Sequence, residues 1–379
     1  MTFRSDLAQA LRGFLRLAGR PVRRASGRGG VVLQPYRGYG SNARAFLIGR
    51  VFFQKSTTPA RDSWDVRRHM RDMLRRLVRR PVRGARVHGQ LLGAEATADT
   101  DADGYFRLEW RLDAPETQGR LWHAAALRLE GPAAAEATGE IYIPERARFA
   151  VISDIDDTVM HTGVANKLGM MWRLFVQGAE SRTAFPGVSA LYRALHGGAS
   201  GDEGNPMLYV SRAPWGIYDI LDEFFRRHDI PVGPILFLRE WGVSWRRPIA
   251  RRAEDHKRVL IAAIMDLYCD LPFVLIGDSG QHDPAVYLEA VERHGDRILA
   301  VYIRNVSVRS ARIAAEIDAI IAAVSAAGSE LVLATDTLAM AEHAAREGMI
   351  RPEAVETVRG RSHPAYAARI DPARFDAPV

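Results

Sequence analysis

An apolar run that ends in closely spaced carboxylates is what most narrows the folds open to this chain. Phe149-Ala150-Val151-Ile152 leads through Ser153 into Asp154-Ile155-Asp156-Asp157-Thr158. A run so short and so apolar predicts a strand buried on both faces, as in parallel sheets covered by helices. In open α/β sheets, ligands bind beyond the carboxyl ends of the strands. Side chains alternate along a strand, so acids at i and i+2 point to one side if the strand persists. One carboxylate could then act as a nucleophile and the other as a proton carrier, once a cation neutralises the cluster. Taken alone, the same residues could simply cap a turn.

The pattern recurs downstream. From residue 146 onward apolar strands alternate with helical periodicity, the mark of a doubly wound parallel α/β sheet. Strands are predicted at 149–153, 207–211, 234–238, 273–277, 298–303 and 330–334. Helices are predicted at 187–196, 214–228, 256–269, 283–294, 308–326 and 337–347. Leu208-Tyr209-Val210-Ser211 is an apolar strand that ends in a hydroxyl, although Ser211 would also serve as a helix cap ahead of Pro214. Lys257 lies just inside a helix with apolar spacing at Val259, Leu260, Ala263 and Ile264. Phe273-Val274-Leu275-Ile276 runs into Gly277-Asp278, with Asp283 five residues further on.

Residues 31–145 read differently, as a β-rich accessory domain with one basic helix. Phe106, Leu108, Trp110 and Leu112 alternate with Arg107, Glu109 and Arg111, a half-buried strand. Further strands are predicted at 45–53, 85–92, 122–129 and 140–143, a spacing that fits a small antiparallel sandwich. A helix at 64–80 carries Met70, Met73, Leu74, Leu77 and Val78 on one face and arginines elsewhere. Asp99-Thr100-Asp101-Ala102-Asp103-Gly104 opens like a calcium loop, yet the twelfth position is Trp110 instead of a bidentate Glu. A turn leading into a strand accounts for these residues better.

Residues 1–30 are predicted to be a basic amphipathic helix and linker. Leu7, Leu11, Phe14, Leu15 and Ala18 recur at helical spacing among Arg4, Arg12, Arg16 and Arg20. That helix could lie on an anionic membrane, dock a partner, or be a frayed basic tail. The arginines also break up any secretory apolar core. No run of about 20 apolar residues occurs, so no transmembrane helix is expected. Residues 351–379 read as a C-terminal tail.

Cys269 is the only cysteine, placed by its surroundings in an apolar helix. No intramolecular disulfide can form, which fits a reducing compartment. The expected location is cytoplasmic, with peripheral contact at the inner face of the membrane. The net charge of +7 comes almost entirely from arginine, because Lys55, Lys167 and Lys257 are the only lysines. So general a bias is no nucleic-acid signature, and no specific nucleic-acid partner is expected. It does single out Lys257, where a compact ammonium suits a phosphoryl oxygen. No P-loop motif occurs, and no His/Cys cluster has zinc spacing. His161, His256 and His282 read as local hydrogen-bonding groups.

The stretch Val151 to Thr158 resembles the first motif of the haloacid-dehalogenase-like superfamily. Ser211, Lys257 and Gly277-Asp278 follow in that superfamily's order, over roughly residues 145–345. The likeness is narrower still to the actin-patch-type phosphatidate phosphatase family, related to lipins, which Tyr36-Arg37-Gly38-Tyr39-Gly40 also fits. The resemblance implies a haloacid-dehalogenase-like doubly wound domain at 146–350 with a small cap inserted between Met160 and Pro186. There Met170, Met171, Trp172, Leu174 and Phe175 read either as a lid over a lipid tail or as core.

The resemblance also implies roles. Asp154 would attack phosphorus and form an aspartyl phosphate, while Asp156 would serve as acid and then base. Magnesium would bind a carboxylate oxygen of Asp154, the carbonyl of Asp156, and Asp278, with Asp283 either supporting those ligands from behind or a further acid of the metal site. Ser211 and Lys257 would hold phosphoryl oxygens, and Thr158 would fix Asp156. Arg212 would reach the phosphate or a head group, unless it is an ordinary surface arginine. The implied activity is conversion of phosphatidate to diacylglycerol and phosphate. A soluble phosphomonoesterase with another substrate, or a catalytically silent phospholipid-binding module, is the alternative.

Overall fold

The computed structural model describes residues 25–27, 30–53, 80–113, 115, 117–131, 134–155, 158–159, 185–211, 215, 218–237, 253–279, 283–305 and 311–362. The predicted amino-terminal helix and residues 64–79 of the helix predicted at 64–80 lie outside them, while Arg80 belongs to a strand.

The first half is β structure. Its strands are β1 (Ala25–Gly27), β2 (Val31–Pro35), β3 (Gly38–Gly40), β4 (Arg44–Phe53), β5 (Arg80–Pro81), β6 (Arg86–Leu91), β7 (Ala94–Asp99), β8 (Tyr105–Arg111), β9 (Trp122–Leu129) and β10 (Ala135–Tyr142). β4 pairs with β2 and β3 along one edge and with β5 and β8 along the other. All pairings are antiparallel except β3 with β10. The strands thus form one hydrogen-bonded sheet folded over a single core, where a sandwich was expected.

Trp110 shows how that core closes. It is fully buried, and its Nε1 donates to the Gly89 carbonyl at 3.0 Å. A Cβ on Gly89 would stand 2.5 Å from the Trp110 ring, so only glycine leaves the indole its place. The calcium-like loop is a turn. Asp101 Oδ1 accepts from the amides of Asp103 and Tyr105, both at 2.8 Å, and Gly104 has φ +80°. β7 escapes a sequence reading because its Ala, Glu and Thr residues are largely exposed. It forms through the Leu92-Gly93 hairpin turn, where both residues have positive φ.

The second half has the predicted alternation. A parallel sheet is built from β11 (Ala150–Asp154), β12 (Met207–Ser211), β13 (Ile235–Phe237), β14 (Phe273–Asp278), β15 (Ile298–Arg304) and β16 (Leu331–Ala334), in the order β13-β12-β11-β14-β15-β16. The chain builds outward from β11 through β12 to β13, then returns to β11's other side for β14. That reversal makes a crevice at the carboxyl ends of β11 and β14, the usual ligand position in such sheets.

Helices cover both faces. One carries α1 (Val188–Gly197) and α2 (Tyr218–Arg227), and the other carries α3 (Ala253–Leu267), α4 (Asp283–His294) and α5 (Ala311–Ala326). The α1 face is completed by α6 (Thr337–Arg346) and α7 (Glu353–Ser362). α7 falls within the segment read as a tail; it packs through Val358, fully buried. Its low apolar content hid it from a periodicity reading. Cys269 lies just beyond α3 and is exposed.

The two halves share their cores. Tyr36 packs among the residues of the α1 face, while Tyr39 and Phe46 pack with those of the α3 face. The Tyr36 ring stacks on Trp215 with centroids 4.2 Å apart. The Arg37 amide donates to Tyr218 Oη at 2.9 Å, and its guanidinium pairs with Asp222 of α2 and Glu140 of β10. The Tyr-Arg-Gly-Tyr-Gly motif is therefore where the β structure docks.

Candidate active site

Asp154 is the last residue of β11 and is buried. Its Oδ1 accepts a 2.8 Å hydrogen bond from Lys257 Nζ, and the same ammonium donates to Asp283 Oδ1 at 2.6 Å. Lys257 reaches the strand end because α3 lies against the sheet through Leu260, Ile261 and Ile264. Burial opposes its charge, but Asp154 and Asp283 outweigh that and hold its pKa well above the usual lysine value. The Tyr287 ring lies 5.4 Å below the ammonium.

Asp278 ends β14, on the other side of the crevice. Ligand oxygens of Asp154, Asp278 and Asp283 lie within 4.8 Å of one another, and all three residues are buried. One ammonium faces three carboxylates among the described residues, so the cluster carries excess negative charge. An all-oxygen donor set of that charge fits a hard divalent cation such as magnesium, calcium or manganese.

Gly277 makes this approach possible. A Cβ there would stand 2.5 Å from Asp283 Oδ2 and 2.8 Å from the Tyr287 ring. With glycine in place, Asp283 Oδ2 also accepts from the Asp278 amide at 3.3 Å. Asp283, at the start of α4, thus braces both Lys257 and the end of β14.

Ser211 lies at the same edge. It is buried at the end of β12, and Asp154 is in register with its neighbour Val210. Thr158 is also buried, but its hydroxyl makes no hydrogen bond among the described residues. Asp156 and Arg212 lie outside the described residues, as does the segment 160–184. Of the residues that flank it, the Phe185 amide donates to the Val159 carbonyl at 3.1 Å.

Residues 149–305 match the family model described as phosphatidate phosphatase APP1, catalytic domain. This stretch is similar to the APP1-type phosphatidate phosphatases. Over 157 residues, 41% of this chain, it is 34% identical to phosphatidate phosphatase APP1 of Saccharomyces cerevisiae. An uncharacterized protein of Schizosaccharomyces pombe is 26% identical over 221 residues, 57% of this chain. The alignments span 26% and 36% of those two relatives, so the chain covers well under half of either. Among solved structures, a Bacteroides ovatus xyloglucanase aligns at a TM-score of 0.18 with 8% identity, over 86% of this chain and 68% of that one.

The APP1-type region begins at Phe149 and ends at Asn305, so it takes in β11 to β15 and all four of Asp154, Lys257, Asp278 and Asp283. Sequence reasoning missed three supporting residues. Tyr287 donates its hydroxyl to the Ile276 carbonyl at 2.9 Å and floors the Lys257 pocket. Ser153 donates to the Asp154 carbonyl at 2.8 Å and pairs with Tyr192 Oη at 2.7 Å. Burial pushes the Tyr192 hydroxyl up to about 12, so it stays a donor. Nothing in their spacing marks these residues, although Gly277 could have been found from its place before a strand-end acid.

Proposed function

We propose that this APP1-type region is a divalent-metal phosphatase that converts phosphatidate to diacylglycerol and phosphate through an aspartyl phosphate. The observation that carries the reading is the Asp154–Lys257–Asp283 triad beside Asp278, at the reversal point of the sheet. The parallel sheet with helices on both faces and an acid ending its first strand supports a haloacid-dehalogenase-like fold.

Phosphoryl transfer depends on positioning and charge neutralisation more than on elaborate covalent work. In this reading Asp154 attacks phosphorus from its fixed place at the end of β11. The bond from Lys257 to Oδ1 holds the carboxylate's orientation and offsets its repulsion of an incoming phosphate. Asp156 gives a proton to the departing glycerolipid oxygen, then takes one from the water that hydrolyses the aspartyl phosphate. Ser211 and Arg212 are assigned to phosphoryl oxygens, and Thr158 to holding Asp156. Asp154, Asp278 and Asp283 would hold magnesium, whose contribution when bound is charge stabilisation at the phosphoryl group. The lipid surface would be met by the predicted amino-terminal helix and the segment 160–184.

The test is phosphate release from phosphatidate vesicles and from soluble phosphomonoesters, with and without magnesium. Turnover on vesicles, abolished by Asp154→Asn, is the expected result. Preference for soluble esters would make it a phosphomonoesterase of another substrate. Absence of turnover on every ester in folded protein would leave a phospholipid-binding module.

A further inference from the structure

Arg304 is a buried cation with no ion pair among the described residues. It ends β15 in register with Asp278 of β14, and it is 4% exposed. Its Nη2 donates to Thr337 Oγ1 at 3.0 Å, and the guanidinium lies 4.1 Å from the centroid of the Phe185 ring. Its Nε is buried and makes no hydrogen bond among the described residues, and no carboxylate among them forms an ion pair with it. Burial pulls its pKa down to about 10, only partly opposed by Tyr192 and Asp336, so it remains charged at neutral pH.

The buried cations Arg37 and Lys257, by contrast, each pair with two carboxylates. Withdrawing a guanidinium from water without an anion is costly, and an apolar residue would fill the site more stably. Such a charge makes sense where a ligand brings the missing anion. The position fits, because adjacent strands lie about 4.8 Å apart and Asp278 is the direct neighbour. A divalent ion among the three acids would leave that cluster near neutral, so a phosphate dianion would still lack positive charge on the β15 side.

We infer that Arg304, steadied by Thr337 and Phe185, is an anion-binding residue for the phosphoryl group on the β15 side of the crevice. The inference rests on the phosphatase reading. It concerns a residue one strand outward from the acids, in a part of the sheet no sequence motif marked. The Phe185 backbone amide also donates to the Val159 carbonyl, five residues beyond Asp154.

The test is calorimetric titration of the whole protein with inorganic phosphate in magnesium chloride, alongside thermal melting. Arg304→Met should weaken phosphate binding about tenfold or more, while leaving Tm unchanged or raised. A merely structural arginine would instead lower Tm and leave phosphate binding intact. Arg304→Gln keeps a donor for Thr337 and applies the same criterion if the Met variant does not fold. Folded variants that bind phosphate within about threefold of wild type would overturn the assignment of Arg304 alone. Wild-type protein that binds no phosphate would overturn the phosphatase reading as well.

Discussion

Gly277 lies so close to Asp283 that a single methyl group would separate them. The nearest carboxylate oxygen would be 2.5 Å from the added Cβ, and the Tyr287 ring would block its retreat. Gly277→Ala should therefore push Asp283 off Lys257 and cost about 1–3 kcal/mol of stability through overpacking. Denaturant unfolding measures that loss. Phosphate release should fall further than the lost stability explains, since Lys257 also holds Asp154. A variant with wild-type stability and turnover would contradict this account of the glycine.

Lys257→Met should destabilise the fold by about 3–5 kcal/mol, because it leaves Asp154 and Asp283 buried without their cation. Lys257→Arg should not restore activity. The slot between two carboxylates and an aromatic ring accepts a point charge, and a planar fork is wider. Urea midpoints and turnover of both variants check this, and an active Arg variant would be the contrary result.

The pH dependence of this triad has a definite sign. The Lys257 pKa is held above its unfolded value by the two carboxylates, against the pull of burial. Its stabilising contribution is then fully present below the unfolded lysine pKa of about 10.4 and is lost as pH rises through the higher folded value. The gap in Tm between wild type and Lys257→Met should stay constant from about pH 7 to 10 and narrow only above that range. Thermal melts across alkaline pH would show it. A gap that closes near neutrality would mean the ammonium is not held as described.

Arg37 fixes the β structure to α2 through Asp222 and to β10 through Glu140. Arg37→Met should cost about 3 kcal/mol by stranding a largely buried carboxylate. Exchanging the charges, Arg37→Asp with Asp222→Arg, should recover more than either single change retains. Because Tyr36 stacks on Trp215, just beyond Ser211, Tyr36→Ala should reduce turnover as well as Tm. Normal kinetics in a folded Tyr36→Ala protein would show that the docking is structural only.

Much of the fold was legible beforehand, for an identifiable reason. Strands buried on both faces must be apolar throughout, so β11, β12 and β14 stood out as short runs ending in functional groups. β12 and α4 were read to the residue. β7 and α7 were not, because the first is a largely exposed hairpin partner and the second buries little more than Val358. The parallel pairing of β3 with β10 in the otherwise antiparallel first sheet left no local trace either, since register between distant strands depends on how the whole sheet closes.

The order of strands and helices in the second half, and the identity of Asp154, Lys257, Asp278 and Asp283, were set by the sequence alone. Apolar periodicity and residue chemistry are local properties and can be read one window at a time. What only the tertiary structure decided is which of these charges meet. Lys257 is 103 residues from Asp154 and 26 from Asp283, yet bonds both. Arg304 looks like any other arginine in the sequence until the sheet buries it in register with Asp278, with no ion pair among the described residues. Burial and pairing depend on where the other strands run, and no single stretch of chain carries that information.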